Sequence, residues 1–220
     1  MNLEAGPRSG AVYAGRPFRR NLPLQALVAG YAVLWLLAAV SPYDRFDWFL
    51  ENLLVLLWVP VLVLSYRRMP LSNLAYGLIV AFLSLHTLGS HYTYSLAPPG
   101  FWIQEALELD RNHYDRMVHF SFGLLLFTPL RETVTRSAGL RGYWTLALPL
   151  AVNMSFSSLY EILEWAVARI VSPEAGLAFL GTQGDVFDAQ KDTALAALGA
   201  LIAAALTLGH AKWRAERGLG

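Results

Sequence analysis

The sequence predicts an all-α integral membrane protein: a bundle of six transmembrane helices with both termini in the cytoplasm. Its 220 residues are 55% hydrophobic and 15% charged, with a mean hydropathy of +0.41, whereas soluble domains carry about 25% charged residues. No cysteine is present, which excludes disulfides, thiolate metal sites and a cysteine nucleophile. The net charge of +1 leaves no broad basic surface for nucleic acid, so we expect no nucleic-acid partner.

Three of the predicted spans lie in the first half of the chain. The N-terminal tail, residues 1–21, is basic and rich in Gly and Pro, and we expect it to be disordered. The first span covers residues 22–43, which contain no charged residue and are long enough to cross a bilayer. The second and third spans cover residues 47–66 and 74–89. A loop then leads to a short interfacial helix expected over residues 101–109.

The second half of the chain contains three more predicted spans, at residues 115–131, 143–171 and 192–209. A glycine-flanked turn at 181–188 precedes the last span, and Asp185 in this turn is the expected N-cap. The transmembrane domain therefore covers residues 22–210. A basic cytoplasmic C-terminal tail follows at 211–220.

The distribution of basic residues predicts the orientation of the bundle. Twelve of the seventeen Lys and Arg residues lie in the two tails and in the second and fourth loops. By the positive-inside rule these segments face the cytoplasm. The opposite loops carry the remaining five, namely Arg45, Arg111, Arg116, Arg169 and Lys191.

In this topology, ionisable residues of three spans collect near the periplasmic face. Spacings of three or four residues place the members of each pair on one helix face: Asp115 with His119, Glu161 with Glu164, and Asp188 with Asp192. A charge at membrane depth costs about 2.5–3.5 kcal/mol on insertion scales. We therefore expect these groups to face the bundle interior, where they pair with one another or bind a cation.

The first interpretation of this cluster is a divalent metal site. Carboxylates and imidazoles on facing helices hold metals in helical bundles, and nitrogen and oxygen ligands suit zinc, manganese, iron, magnesium or calcium. The candidate ligands are His91, Asp115, His119, Glu161, Glu164, Asp185, Asp188 and Asp192. A metal with an open position activates water, and Glu161 or Glu164 is then the candidate catalytic base. A site at the headgroup level suits a hydrolase or transferase acting on a lipid-linked or amphiphilic substrate.

Two other interpretations stay open. The basic residues of the same face would neutralise the acids in an ion-pair network that only holds the bundle together, as in a non-catalytic sensor or assembly protein. Acidic residues inside spans also mark paths for cations or protons. Against a transporter, the acids collect at one end of the bundle, and the chain lacks the internal repeat of many carriers.

Several motifs resemble those of a known family. They are Ser41-Pro42-Tyr43-Asp44-Arg45, His91-Tyr92-Thr93-Tyr94, Asn112-His113-Tyr114-Asp115-Arg116 with His119, Tyr160-Glu161 with Glu164-Trp165, and Gly181-Thr182-Gln183-Gly184-Asp185 with Asp188 and Asp192. In this order they resemble the YjdF-type inner-membrane proteins of bacteria, over nearly the whole chain after the N-terminal tail. The resemblance implies a multi-pass protein of the inner membrane and implies no reaction.

A looser similarity links the chain to the VanZ-like membrane proteins. Their Asp-Lys-x-x-His motif corresponds to Asp115-Arg116-x-x-His119 here, with Arg in place of Lys. This similarity implies a role in the cell envelope but no substrate.

Overall fold

Every regular element of the computed structural model, which describes residues 17–218, is a helix. Eight α-helices are present in that range: α1 Leu22–Val40, α2 Arg45–Ser65, α3 Asn73–Tyr92, α4 Pro98–Ala106, α5 Tyr114–Ser137, α6 Trp144–Ala168, α7 Pro173–Leu180 and α8 Asp188–Glu216. Short 3₁₀ turns cover Phe18–Arg20 and Tyr94–Leu96. The all-α class is confirmed for these residues, while the predictions for residues 1–16 and 219–220 lie outside the described part of the chain.

Within residues 17–218, five helices are long and apolar enough to cross a membrane: α1, α2, α3, α6 and α8. Helix α5 is long enough, with 24 residues, but its ends are too polar. It carries Asp115 and Arg116 in its first turn and Arg131, Glu132 and Arg136 in its last turns. A sixth span at α5 therefore stays a prediction, as does the cytoplasmic side of the termini.

Helix α5 lies inside the bundle, packed against α3, α6 and most extensively α8. Two glycines allow the α5 and α8 backbones to approach closely. A Cβ built on Gly123 would lie 1.8 Å from the carbonyl oxygen of Ala196, and one on Gly199 would lie 2.2 Å from that of Phe120. Small residues at such crossings are typical of membrane helices. The neighbouring helices thus shield the polar groups of α5.

The peripheral helices α1 and α2 expose large apolar side chains. Leu37 of α1 is 65% exposed and Leu64 of α2 is 78% exposed. A continuous apolar surface of this kind is unfavourable in water but suits contact with hydrocarbon, where each helix satisfies its own backbone hydrogen bonds. The exposed surface therefore indicates a lipid environment around the bundle.

Capping residues define where several helices begin. Asp44 begins α2 because its Oδ1 accepts hydrogen bonds from two backbone N–H groups of the first turn, at 2.8 and 2.9 Å. Ser72 caps α3 in the same way, through its Oγ. Pro98 and Pro99 occupy the first turn of α4, where a missing N–H costs no helical hydrogen bond.

Several helix boundaries differ from those that hydropathy predicts. Helix α5, for example, continues to Ser137 instead of ending at 131. Helix α3 continues to Tyr92 instead of ending at 89, so His91 lies in its last turn and not in a loop. Helix α8 begins at Asp188 and continues to Glu216, so most of the expected C-terminal tail is helical. Hydropathy marks where a helix can lie in lipid, and a helix does not stop where its sequence becomes polar.

One local prediction at the start of the last helix is also corrected, and one helix was not predicted. The N-cap of α8 is Phe187 and not Asp185. The Oδ1 of Asp185 instead accepts a hydrogen bond from the Phe187 N–H at 3.1 Å, which closes the turn before the helix. Helix α7 was not expected at all; it begins where the side chain of Ser172 caps Pro173–Leu180.

Candidate functional site

Two loops at one end of the bundle are joined by the side chain of Gln183. Its Nε2 donates to the carbonyl oxygen of Asn112 at 2.8 Å, and its Oε1 accepts from the Asn112 N–H at 3.2 Å. Gln183 itself adopts a left-handed backbone conformation with φ of 49°. This paired contact holds the loop that precedes α8 against the loop that precedes α5.

Asn112 in turn holds the start of α5. It is nearly fully buried, its Nδ2 donates to the carbonyl oxygen of Ala97 at 3.0 Å, and its Oδ1 accepts from the Tyr114 N–H at 2.9 Å. Gly100 makes room for it, because a Cβ at that position would lie 1.7 Å from the Asn112 Oδ1. The first turn of α5, with its acidic residue, is therefore positioned by buried contacts.

The inner part of the site is a buried cluster centred on His119. Its Nε2 lies 3.4 Å from Oδ1 of Asp115, and its Nδ1 lies 3.5 Å from Oε1 of Glu161. Asp192 of α8 completes the cluster: one donor atom each from Asp115, His119 and Asp192 lie within 4.8 Å of one another. Helices α5, α6 and α8 thus each contribute an ionisable side chain to one point.

The outer part of the site is an ion-pair network. Arg111 Nη1 lies 2.8 Å from Oδ1 of Asp188, which Arg116 also approaches at 3.4 Å. Arg116 and Lys191 both pair with Asp185. These two aspartates therefore have cationic partners. Within residues 17–218, by contrast, no Lys or Arg pairs with an acid of the inner cluster.

The network has a clear electrostatic effect on the loop residues. Hydrogen bonds from Lys191, from the Phe187 N–H and from Arg116 hold the pKa of Asp185 well below its usual range. Burial and the nearby Arg116 and Arg111 lower the pKa of His113. The network therefore favours the ionised form of Asp185 and the neutral form of His113.

The structure separates the sequence-predicted residues into three groups. Asp115, His119, Glu161 and Asp192 come together in the inner cluster, and the carboxyl group of Glu164 adjoins that of Glu161. The second group, Asp185 and Asp188, belongs to the ion-pair network. The third is His91, whose Nδ1 lies 2.8 Å from the carbonyl oxygen of Ala38 and so links α3 to α1.

Sequence reasoning left Glu51 of α2 outside the site. Its side chain is only 3% exposed, and its Oε2 accepts a hydrogen bond from the Tyr160 hydroxyl at 3.2 Å. Tyr160 packs on His119 with a ring separation of 5.9 Å. The available signal was the four-residue spacing of Asp47 and Glu51 on an apolar helix, which places both carboxyls on one face.

Two carboxylate oxygens of the inner cluster lack a hydrogen-bond donor among the described residues. They are Oδ1 of Asp192 and Oε1 of Glu161. Asp192 is only 1% exposed, and a buried charge without a partner is costly. A cation at this point would neutralise the buried carboxylate, so the carboxylates and the imidazole of the cluster fit a small divalent metal.

Comparison with known proteins places this geometry in a family context. Residues 23–212 match the model of the family described as "Predicted membrane protein (DUF2238)". The chain is 39% identical over 163 residues to the Escherichia coli (strain K12) protein named "Inner membrane protein YjdF", an alignment that covers 74% of this chain and 78% of the relative. No solved structure matches the chain. The family match extends from the first turn of α1 into the last turns of α8.

Proposed function

The chain belongs to the DUF2238 family of membrane proteins, as its motifs predicted, and we propose that it is a metal-dependent enzyme whose ion is held by Asp115, His119 and Asp192. It is a multi-pass protein of the inner membrane, in line with the name of its relative and its apolar helices. The observation that carries the proposal is the carboxylate of Asp192, which is 1% exposed and lies beside two other possible metal ligands. No hydrogen-bond donor within residues 17–218 reaches its Oδ1.

The donor set suits a transition metal. One imidazole and two carboxylates match the ligands that zinc, manganese and iron take in proteins. Calcium is less suited, because it takes about six to eight oxygen ligands. Magnesium usually keeps several waters and few protein ligands. We therefore place zinc, manganese and iron ahead of the two hard ions among the five that the sequence allowed.

Glu161 supports this assignment because it lies beside the second ring nitrogen of His119. Nε2 of His119 lies 3.4 Å from Oδ1 of Asp115, and its Nδ1 lies 3.5 Å from Oε1 of Glu161, an oxygen without a donor among the described residues that would accept from an Nδ1–H. A metal-binding histidine commonly donates its other N–H to a carboxylate, which sets its tautomer and orientation. Glu161 is therefore assigned as a positioning residue for His119.

The reaction that suits the site is hydrolysis or group transfer. A divalent ion would supply Lewis-acid activation of water and of the substrate. Glu164, buried beside Glu161, is the candidate general base, because it remains available when Glu161 orients the histidine. The position of the cluster near one end of the bundle favours a lipid-linked or amphiphilic substrate.

The proposed topology has six spans, cytoplasmic termini and a periplasmic site. Helix α5 would be the sixth span in spite of its polar ends, because α3, α6 and α8 surround it. The basic loops after α2 and α5 would face the cytoplasm. The loops that build the site, which precede α5 and α8, would then lie on the opposite side.

A second candidate function is a non-catalytic sensor or assembly protein. It is favoured by the ion pairs of Arg111, Arg116 and Lys191 with Asp185 and Asp188. These pairs have a purely structural explanation, since they join the loop before α8 to the start of α5. The inner cluster, which has no such cations, distinguishes the two candidates.

The proposal is tested by elemental analysis of the purified protein in detergent. We expect one equivalent of a divalent metal in the wild type and in Asp110→Asn, an exposed control position in the loop before α5. In Asp192→Asn, we expect the metal content after dialysis to fall about tenfold or more, because even outer partners of a metal site change affinity by this factor. Thermal unfolding of both variants verifies that they are folded. A wild type without metal after add-back, or equal metal in both variants, would contradict the proposal.

A further inference from the structure

A largely apolar cavity of about 650 Å³ lies between α2, α3, α5 and α6. Its walls are aliphatic and aromatic side chains, among them Trp58, Phe82, Phe122, Leu126 and Phe156. The volume falls in the range of small-molecule sites, about 300–1,000 Å³. Few polar groups line the middle of this cavity, so any ligand there must be held by its hydrocarbon part.

The two ends of the cavity differ in chemistry. At one end it is lined by Asp115, His119 and Tyr160, the same residues that form or adjoin the inner cluster. At the other end it reaches Thr133 and Val134. Along α5 the lining extends from position 115 to 134, which is about 28 Å at 1.5 Å per residue. This length is close to the hydrocarbon thickness of a bilayer, about 30 Å.

The cross-section of the cavity suits one extended hydrocarbon chain. A volume of 650 Å³ over a length of about 28 Å leaves a mean cross-section of about 23 Å².

The wall formed by α2 provides a route from the bilayer. Helix α2 packs chiefly against α3 and α7, and not extensively against α5 or α6 on the opposite side of the cavity. It also exposes Leu64 and other apolar side chains outward. The rings of Trp58 and Phe156 join α2 to α6 at a separation of 5.5 Å, so the apolar route for a hydrocarbon chain lies beyond them, toward Leu64.

We propose that this cavity holds one hydrocarbon chain of a lipid phosphate, with the phosphate group beside Asp115 and His119. The choice of headgroup rests on the proposed metal function, because an anion beside carboxylates requires a cation between them. Phosphate oxygens are hard ligands that divalent ions accept. The proposal that a hydrocarbon chain occupies the cavity rests on the shape and lining of the cavity alone.

The test is photocrosslinking with a defined lipid. Wild-type protein is reconstituted into phosphatidylcholine vesicles that contain phosphatidic acid with a diazirine near the middle of one acyl chain. After irradiation, peptide mass spectrometry locates the adducts. We expect adducts on the cavity-facing residues Phe122 and Leu126 of α5.

A matched pair of variants distinguishes labelling by a lipid inside the cavity from labelling by lipids of the surrounding bilayer. Leu126→Trp fills the cavity, whereas Leu206→Trp adds the same side chain on the outer side of α8, at a position 64% exposed. We expect adducts on Phe122 to decrease about tenfold in the first variant, equivalent to about 1.4 kcal/mol, and to stay at wild-type level in the second. Adducts confined to outward residues such as Leu64 in all three proteins would overturn the proposal.

Two further measurements test the headgroup and distinguish a failure of this inference from a failure of the proposed metal function. A diacylglycerol with the same diazirine chain should label Phe122 about tenfold less than the phosphatidic acid does, a difference of about 1.4 kcal/mol; equal labelling would overturn the assignment of a phosphate. If Phe122 is labelled in a protein that contains no metal, the metal function is overturned and the hydrocarbon-binding site is supported. Metal in a protein labelled only on outward residues would overturn the chain site alone.

Discussion

At the scale of single residues, the surroundings of an aspartate decide its role. Asp185, Asp188 and Asp192 lie within eight positions of one another at the start of α8. The first two have arginine or lysine partners, whereas Asp192 is buried without one in the described chain. The paired aspartates join loops, and the unpaired one has the free oxygen that a cation needs.

The pairing of Asp185 predicts a dependence of stability on pH. Its pKa is lowered in the folded protein, first by the hydrogen bond from Lys191. A lowered pKa means that the pair stabilises the fold above the ordinary aspartate pKa of about 4 and loses this contribution as the pH falls. We expect the thermal midpoint of the wild type in detergent to fall more steeply between about pH 5 and pH 3 than that of Asp185→Asn.

Asp110→Asn serves as the control for this measurement, because position 110 is an exposed aspartate of the loop before α5. It should keep the wild-type slope of midpoint against pH. Equal slopes in Asp185→Asn and the wild type would show that the pair does not contribute to acid sensitivity.

At the scale of helices, the contact between α5 and α8 brings the site together. Asp115 and His119 lie on one of these helices and Asp192 on the other. Their donor atoms come within 4.8 Å at one end of a crossing where Gly123 and Gly199 leave no room for a side chain. A wider crossing would separate the proposed ligands as well as weaken the bundle.

Gly199→Ala tests the closeness of this crossing. The new Cβ would lie 2.2 Å from the carbonyl oxygen of Phe120, and overpacking of this kind typically costs about 1–3 kcal/mol. We expect a lower thermal midpoint and reduced metal content in this variant, measured on the same purified sample.

Gly209→Ala is the matched control on the same helix. A Cβ at position 209 meets nothing within 4 Å, and alanine favours a helix over glycine. We expect this control to keep the wild-type midpoint or to raise it slightly. A midpoint in Gly199→Ala equal to that of the control would mean that the crossing is looser than described.

At the scale of the whole molecule, the two ends of the bundle carry different polar groups. The site end carries the inner cluster and the ion-pair network. At the other end, Glu132 accepts a hydrogen bond from the Ser72 N–H at 2.8 Å and pairs with Arg136 at 3.2 Å. The basic loops lie at this second end, and the proposal that it faces the cytoplasm follows from them by the positive-inside rule.

The absence of native cysteine makes this orientation directly testable. Single cysteines are introduced at exposed positions by Glu105→Cys and Glu174→Cys at the site end, and by Arg67→Cys and Arg141→Cys at the other. In intact cells with a permeable outer membrane, a membrane-impermeant maleimide should label the first two. The second pair should react only after the inner membrane is opened.

Labelling of all four positions with the same pattern would contradict a bundle with opposite ends on opposite sides. Labelling of Arg67→Cys and Arg141→Cys alone in intact cells would reverse the assigned orientation. Either result would leave the helical fold itself unchanged.

Much of the fold is determined by the sequence alone, because hydropathy and helical periodicity are local properties. They located the helices at α1, α2, α3, α4, α5, α6 and α8 and placed Asp115 with His119 on one helix face. The motifs also pointed to the family that the comparisons confirm. Local signals failed at α7 and at the polar ends of α3 and α8, because helix formation there does not depend on hydropathy.

Only the tertiary structure decided which ionisable groups meet. Six of the eight candidate ligands form pairs of similar spacing, yet only Asp115, His119, Glu161 and Asp192 of the described residues come together in the inner cluster, with Glu164 beside them. Asp185 and Asp188 pair with arginines instead, because Gln183 binds the backbone of Asn112 and so holds their loop beside α5. Contacts between distant segments depend on how loops join and how closely helices cross, and the order of residues along one helix does not contain that information.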